Sequence, residues 1–233
     1  ELSDRFNSGA NGEVAYPLVP DAEASEVNQA WLQWRGERAG AIVGRQRVVL
    51  DNQRFVGNVG WRQNEQTFDA LSFDARPLDR LALRYHWLDR VHRVFGDEAL
   101  DPRARERRLD GHLINAAWSL PQGALVGYAY LIEDRDVAAA STRTVGLRWV
   151  GSAPLREELA LGWTLEAAQQ RDYADAPASF EHDYYLLEPS LRWAGIDWKA
   201  GWERLDGDGT HAFQTPFATL HAFNGWADKF LVT

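Results

Sequence analysis

The sequence predicts an all-β protein, an antiparallel up-and-down transmembrane β-barrel, and three observations carry that prediction. Short segments alternate apolar and polar residues, tight turns recur about every forty positions, and tryptophans gather beside those turns. A barrel strand shows lipid an apolar row while its other face looks into a wet lumen. Leu81, Leu83, Tyr85 and Trp87 stand against Ala82, Arg84, His86 and Arg90. Leu159, Leu161, Trp163 and Leu165 stand against Gly162, Thr164 and Glu166, and Ile196, Trp198, Ala200 and Trp202 against Lys199, Gly201 and Glu203.

Taken in order, residues 1–25 are rich in Gly, Pro, Asn and acidic side chains and read as loop. Strands follow near 26–35, 40–52, 68–76, 81–91, 111–120, 124–133, 142–152, 159–171, 183–194 and 196–205. A tilted strand crosses a bilayer in roughly 9–11 residues, which suits these lengths. Short turns fall at Gly36–Ala39, Pro77–Arg80, Leu120–Gly123, Ala153–Glu158 and Ala194–Ile196. Longer polar segments, Gln53–Thr67, Gly96–Asp110, Asp134–Ser141, Asp172–His182 and Asp206 onward, alternate with them. Short turns on one rim and long loops on the other are the asymmetry of bacterial outer-membrane barrels. Propeller blades share this period but need four short strands per repeat, where these strands are fewer and longer. Residues 206–233, with Phe213, Phe217, Phe223, Trp226 and Phe230, are too aromatic for a solvated tail and are expected to fold back into the lumen before another strand begins. The whole of 1–233 reads as one domain, about ten strands of a larger barrel.

Composition agrees with that class. Mean hydropathy is -0.43. No run approaches the ~18 apolar residues of a membrane helix, and half of each barrel strand faces water. Of 11 Trp, five (Trp34, Trp118, Trp149, Trp193 and Trp198) sit beside the short turns, as an interfacial girdle would. The competing origin of these tryptophans is the core of a soluble β-sandwich. With no Cys, a disulfide scaffold, a cysteine zinc site and a thiol nucleophile are excluded. A net charge of -9 argues against a nucleic-acid partner. Among 25 basic residues only Lys199 and Lys229 are lysines. Arginine suits bidentate capture of carboxylates or phosphates, though codon bias accounts for the ratio equally well. The last residues, Phe230 to Thr233, lack the terminal aromatic usual for outer-membrane barrels, so the chain reads as an excerpt of something longer.

If the apolar row of the second strand, Ile42, Gly44, Val48 and Leu50, meets lipid, then Arg45, Arg47 and Asp51 point into the lumen. Gln46 falls on the lipid row and is an exception to that register. The same logic turns Arg84, Arg148, Arg192 and Lys199 inward, together with Asp74, Glu133, Glu166, Glu188 and Glu203. Inward cations in a narrow pore attract anions and repel cations. Alternatively, Arg–Glu ladders of this kind merely satisfy the wall of a wide barrel. In the loop Gln53–Thr67, Arg54, Asn58, Arg62, Asn64 and Glu65 surround Phe55 and Trp61. That loop suits either a constriction folded into the pore or a self-packed surface loop.

The stretch Gly44–Asp69, GRQRVVLDNQRFVGNVGWRQNEQTFD, resembles the alginate-export porin family of proteobacterial outer membranes. The stretch Phe213–Phe230, FQTPFATLHAFNGWADKF, is similar to it as well, and between them Asp89–Asp97, DRVHRVFGD, looks like the same family. The resemblance implies a monomeric barrel of around eighteen strands in the outer membrane of a Gram-negative cell. Such a barrel passes an anionic polysaccharide or small anions, with membrane lipid as its other partner and no cofactor. This chain has room for only about ten of those strands.

Enzyme signatures are missing from the sequence. It holds no Gly-x-Ser-x-Gly elbow, no phosphate-cradling glycine loop and no His-Glu-x-x-His, so neither catalytic nor metal-binding residues are expected. Asp206-Gly207-Asp208-Gly209 lacks the later ligands of a calcium loop and reads as a turn. The rivals to a channel are a hydrolase on a barrel scaffold and a soluble carbohydrate-binding β protein. A lipase assay separates the first, and monodisperse extraction without detergent the second.

Overall fold

The computed structural model describes residues 6–19 and 25–224. Among the described residues eleven antiparallel strands form one sheet: the first ten pair in sequence order, and the eleventh pairs with the ninth. They are β1 (Ala30–Arg35), β2 (Ala39–Gln46), β3 (Thr67–Leu78), β4 (Leu81–His92), β5 (Glu106–Leu120) and β6 (Gly123–Asp134). Then come β7 (Thr142–Arg156), β8 (Leu159–Asp172), β9 (Glu181–Trp193), β10 (Ile196–Lys199) and β11 (Trp202–Leu205). One helical turn, α1 (Pro102–Arg105), lies between β4 and β5. Among the described residues the sheet does not close: β1 forms one edge, and β10 with β11 the other.

The strand predicted over 196–205 is therefore two pieces, both paired with β9. The break falls opposite Pro189. Ala200 donates its N–H to the Pro189 carbonyl at 3.1 Å, and proline has no N–H to return.

Chemistry at the turns fixes the hairpins. Ala194 and Gly195 both have positive φ, 49° and 79°, and so join β9 to β10 by a two-residue link whose twist matches the strands. Five short links of two or three residues occupy one rim. The other rim carries segments 47–66, 93–105, 135–141, 173–180 and the chain beyond Leu205.

Side-chain parity then divides the sheet. Val43, Phe73, Leu83, Ile114, Leu147, Leu161 and Leu187 are exposed on the outer face. The tryptophans predicted as a girdle share that face near the short turns, Trp34, Trp193 and Trp198 most openly. Trp163 is half-buried there against Trp149, with ring centroids 5.2 Å apart.

The inner face is the unexpected one. It is not a uniformly wet, charged surface. Phe68, Leu88, Val91, Leu113, Tyr128, Tyr130, Ile132 and Tyr184 point inward and are buried. What buries them is chain from the long-loop rim: Val48, Leu50, Phe55 and Val56 from segment 47–66, and Phe213 and Phe217 from segment 206–224. Phe55 sits at the centre, its ring 5.2 Å from Tyr184, 5.5 Å from Tyr128 and 5.7 Å from Phe213. Burying each such side chain contributes about 1.5–3 kcal/mol, enough to hold a loop inside.

Backbone groups that leave water need partners, and the two folded-in segments supply them to each other. Gly57 N–H donates to Phe217 O at 2.8 Å, and Thr219 N–H to Gln53 O at 3.0 Å. The Gln66 amide donates to the carbonyls of Gly57 and Phe217 at 2.8 and 3.1 Å. Of the two readings for segment 53–67, the folded-in one matches this packing. Phe223 lies near Arg54, while Trp226 and Phe230 lie outside the described residues.

Candidate functional site

The inner wall and the two segments packed on it define three polar levels. Midway along the strands, Arg148 on β7 faces Glu166 on β8 with Nη1–Oε2 at 2.5 Å, both nearly dry. Tyr128 donates its hydroxyl to the same carboxylate at 2.8 Å. The Tyr128 ring reaches it across Gly146, where a Cβ would lie only 2.3 Å from the phenol carbon. Asn115 donates to Asp51 at 3.0 Å, tying the folded-in chain to this level.

Toward the short-turn rim the inner face is wetter. Arg84 on β4 lies opposite Asp74 on β3 and is exposed to the lumen. Lys199 pairs with Glu188 at 2.8 Å, and Arg192 with Asp197 at 2.7 Å. Ser72 links the buried Gln46 amide oxygen at 2.8 Å to the His86 ring at 2.7 Å.

At the long-loop end a cavity of about 570 Å³ opens between segment 206–224 and the wall. Arg54, Arg93 and Arg107 line it with His211, Gln214 and Asn224. Arg54 is buried and grips Glu203 with two hydrogen bonds, 2.7 and 3.3 Å. Arg107 is buried too and spends Nη1 on Asp134 at 2.8 Å, which leaves its Nε without a partner. Arg93 donates to the Arg103 carbonyl at 3.4 Å and lies 5.7 Å over the Phe95 ring. Burial, and then the neighbouring Arg107 guanidinium, pull Arg93 down to about 10, so it stays cationic at neutral pH. A half-buried Arg93 beside a buried Arg107 makes this a place suited to a small anion.

Several expectations from the second strand need correction. The strand ends at Gln46, so Arg47 and Asp51 belong to the folded-in segment. Arg45 faces outward, where its Nε meets Asp69 at 2.9 Å. Ile42, Gly44 and Gln46 face inward, opposite Ser72, Ala70 and Phe68. The parity is inverted because the inner wall carries apolar residues of its own, so the greasy row did not identify the lipid side. Gln46, the exception to the lipid row, was the sequence signal for this.

The remaining predicted residues fall into two groups. Arg84, Arg148, Arg192 and Lys199 point inward. In the folded-in segment, Arg47 holds Glu65 by two bonds of 2.6 Å. Asn28 and Asn58 donate to the same carboxylate at 2.5 and 2.7 Å. Burial alone would raise the Glu65 carboxyl, but the bonds from Arg47, Asn28 and Asn58 outweigh it and hold it below the usual carboxylate range. Arg62 lies over the Trp61 ring at 4.0 Å, and Asn64 is buried. Glu133, in contrast, sits on the outer face with Arg135. Asp208 caps a turn by accepting from the N–H groups of Thr210 and His211 at 2.8 and 2.7 Å, as a turn reading of 206–209 requires.

Of the three cavity arginines, sequence reasoning singled out Arg54 and missed Arg93 and Arg107. Arg107 lay in a stretch read as loop, yet it continues the inward parity of Leu109, Leu113 and Asn115. Arg93 follows the end of β4 within the DRVHRVFGD stretch.

An open meander with this rim asymmetry has solved counterparts. Pseudomonas aeruginosa OpdL superposes with a TM-score of 0.62 at 16% identity, over 82% of this chain and 53% of that one. The fold is that of an outer-membrane porin. P. aeruginosa OccK2 (OpdF), solved in complex with glucuronate, gives a TM-score of 0.62 at 16% identity over 76% and 47%. OpdK from the same organism, solved with vanillate, gives 0.61 at 15% identity over 76% and 46%. This chain spans about half the length of these porins of the Gram-negative outer membrane. No protein-family model matches it, and no curated protein does. The resemblance of residues 44–69 to the alginate-export family is thus without support, and so is alginate as cargo.

Proposed function

We propose that this chain forms about half the wall of a monomeric outer-membrane channel, through which small anionic solutes diffuse without chemistry. The observation that carries this reading is the long-loop cavity, where Arg54, Arg93 and Arg107 line a space large enough for a small organic anion. Arg84 offers a further inward cation nearer the short turns. OccK2 and OpdK, which share the fold, were solved with glucuronate and vanillate respectively, both small carboxylates. A long polysaccharide fits less well, because segments 47–66 and 206–224 occupy the space inside the wall.

The test is the reversal potential of the full-length protein in planar bilayers under a salt gradient. Arg84→Glu with Arg93→Gln lowers anion preference, whereas Arg45→Glu, on the outer face, leaves it unchanged. Equal reversal potentials for all three proteins would sink the assignment.

A further inference from the structure

Polarity of the outer face is lopsided. Toward the short turns its strand positions stay apolar or aromatic to the end, as in Ala153 and Leu161 or Leu191 and Trp198. Toward the long loops the same face turns to charge. Arg45, Arg90, Arg108, Arg135, Arg143 and Arg171 occupy it between β2 and β8, interspersed with the carboxylates Asp69, Asp110, Glu133 and Asp183. Arg143 is the next outward position beyond Val145, about 7 Å further along the strand.

Two pairings within this band are costly as they stand. Arg90 lies directly opposite Arg108, and Arg143 directly opposite Arg171. Like charges facing one another across a ladder destabilise it. Carboxylates relieve this in part: Arg90 meets Glu106, Arg108 meets Asp136 at 2.6 Å, and Arg171 meets Glu181 at 2.8 Å. Arg143 is exposed and has no ion pair among the described residues. The second arginine pair is therefore under-neutralised, on a surface that is neither lumen nor loop tip.

We propose that this band, centred on Arg143 and Arg171, binds the phosphate-bearing headgroup of a lipid in the leaflet on the long-loop side. A phosphate seated between two guanidiniums turns their repulsion into a shared, charge-assisted contact. Its acyl chains then lie along Val145, Leu147 and Ala167 below. Basic residues at a membrane surface each strengthen attraction to anionic lipid several-fold. The inference rests on the sheet spanning a membrane and not on the selectivity of the lumen.

Native mass spectrometry of the full-length protein, with bis-phosphorylated lipid A and its dephosphorylated form as probes, tests it. The protein retains the phosphorylated lipid at least tenfold more tightly, and Arg143→Gln with Arg171→Gln removes that preference. Arg38→Gln, at the opposite rim, preserves it. All these arginines are at least half exposed or on the outer face, so the variants keep the fold, and an unchanged reversal potential in bilayers confirms that they do. Equal retention of both lipids by the unaltered protein, or unchanged preference in the double variant, overturns the proposal. Loss of anion selectivity with lipid preference intact would instead implicate the lumen reading.

Discussion

The Arg54–Glu203 pair fastens the folded-in segment 47–66 to β11, and its two halves are not equivalent. The Arg54 side chain is 3% exposed and that of Glu203 26%. Glu203→Gln leaves a dry guanidinium without a counter-charge, which costs about 3–5 kcal/mol. Arg54→Met leaves a carboxylate that still reaches water and still accepts the Tyr184 hydroxyl at 2.8 Å. That loss is about 1–3 kcal/mol. The penalty falls on the loop, because β11 retains its ladder with β9. A cost of 3–5 kcal/mol raises the open fraction of the segment by about 10²–10⁴. Hydrogen exchange reads this directly at Leu50 N–H, bonded to Val56 O at 3.1 Å, and Gly57 N–H, bonded to Phe217 O. Glu203→Gln should speed exchange at both amides by that factor, and Arg54→Met by clearly less. Amides of β5 and β6 should not change. Equal effects from the two substitutions, or none at Leu50 and Gly57, would refute the claim that a buried cation secures the segment.

Other expectations follow from the same geometry. Phe55→Ala empties the centre of the internal aromatic cluster, costs about 3–5 kcal/mol, and should raise single-channel conductance as segment 47–66 loosens. Gly146→Val places side-chain atoms where the Tyr128 ring lies, so thermal stability in detergent should fall by about 1–3 kcal/mol, with Gly146→Ala milder. Because Glu65 is held below its ordinary value of 4.5, the Arg47–Glu65 clasp stabilises the segment fully above that pH. The contribution disappears as pH falls through the lowered value. Glu65→Gln should erase that acid dependence of loop exchange, with the single variant and the parent converging at low pH.

Alternation and turns were enough to place nearly every strand, because hairpin pairing joins near neighbours and a period of two is local. β3 to β9 begin and end within a few residues of the sequence reading. The same local information located the tryptophans on the outer face beside the short turns. The parity of β2 was beyond its reach. Both faces of that strand present apolar residues, Ala41 and Val43 outward and Ile42 inward, so hydropathy could not choose between them. The contacts that shape the lumen were likewise invisible: Arg54 meets a carboxylate 149 positions away, and Gln66 a carbonyl 151 positions away. What the sequence alone determined is a membrane-type sheet with an asymmetric pair of rims. Only the tertiary structure decided that Arg45 faces outward and that Arg54, Arg93 and Arg107 meet at one cavity, since the cavity forms where two distant loops pack against the wall.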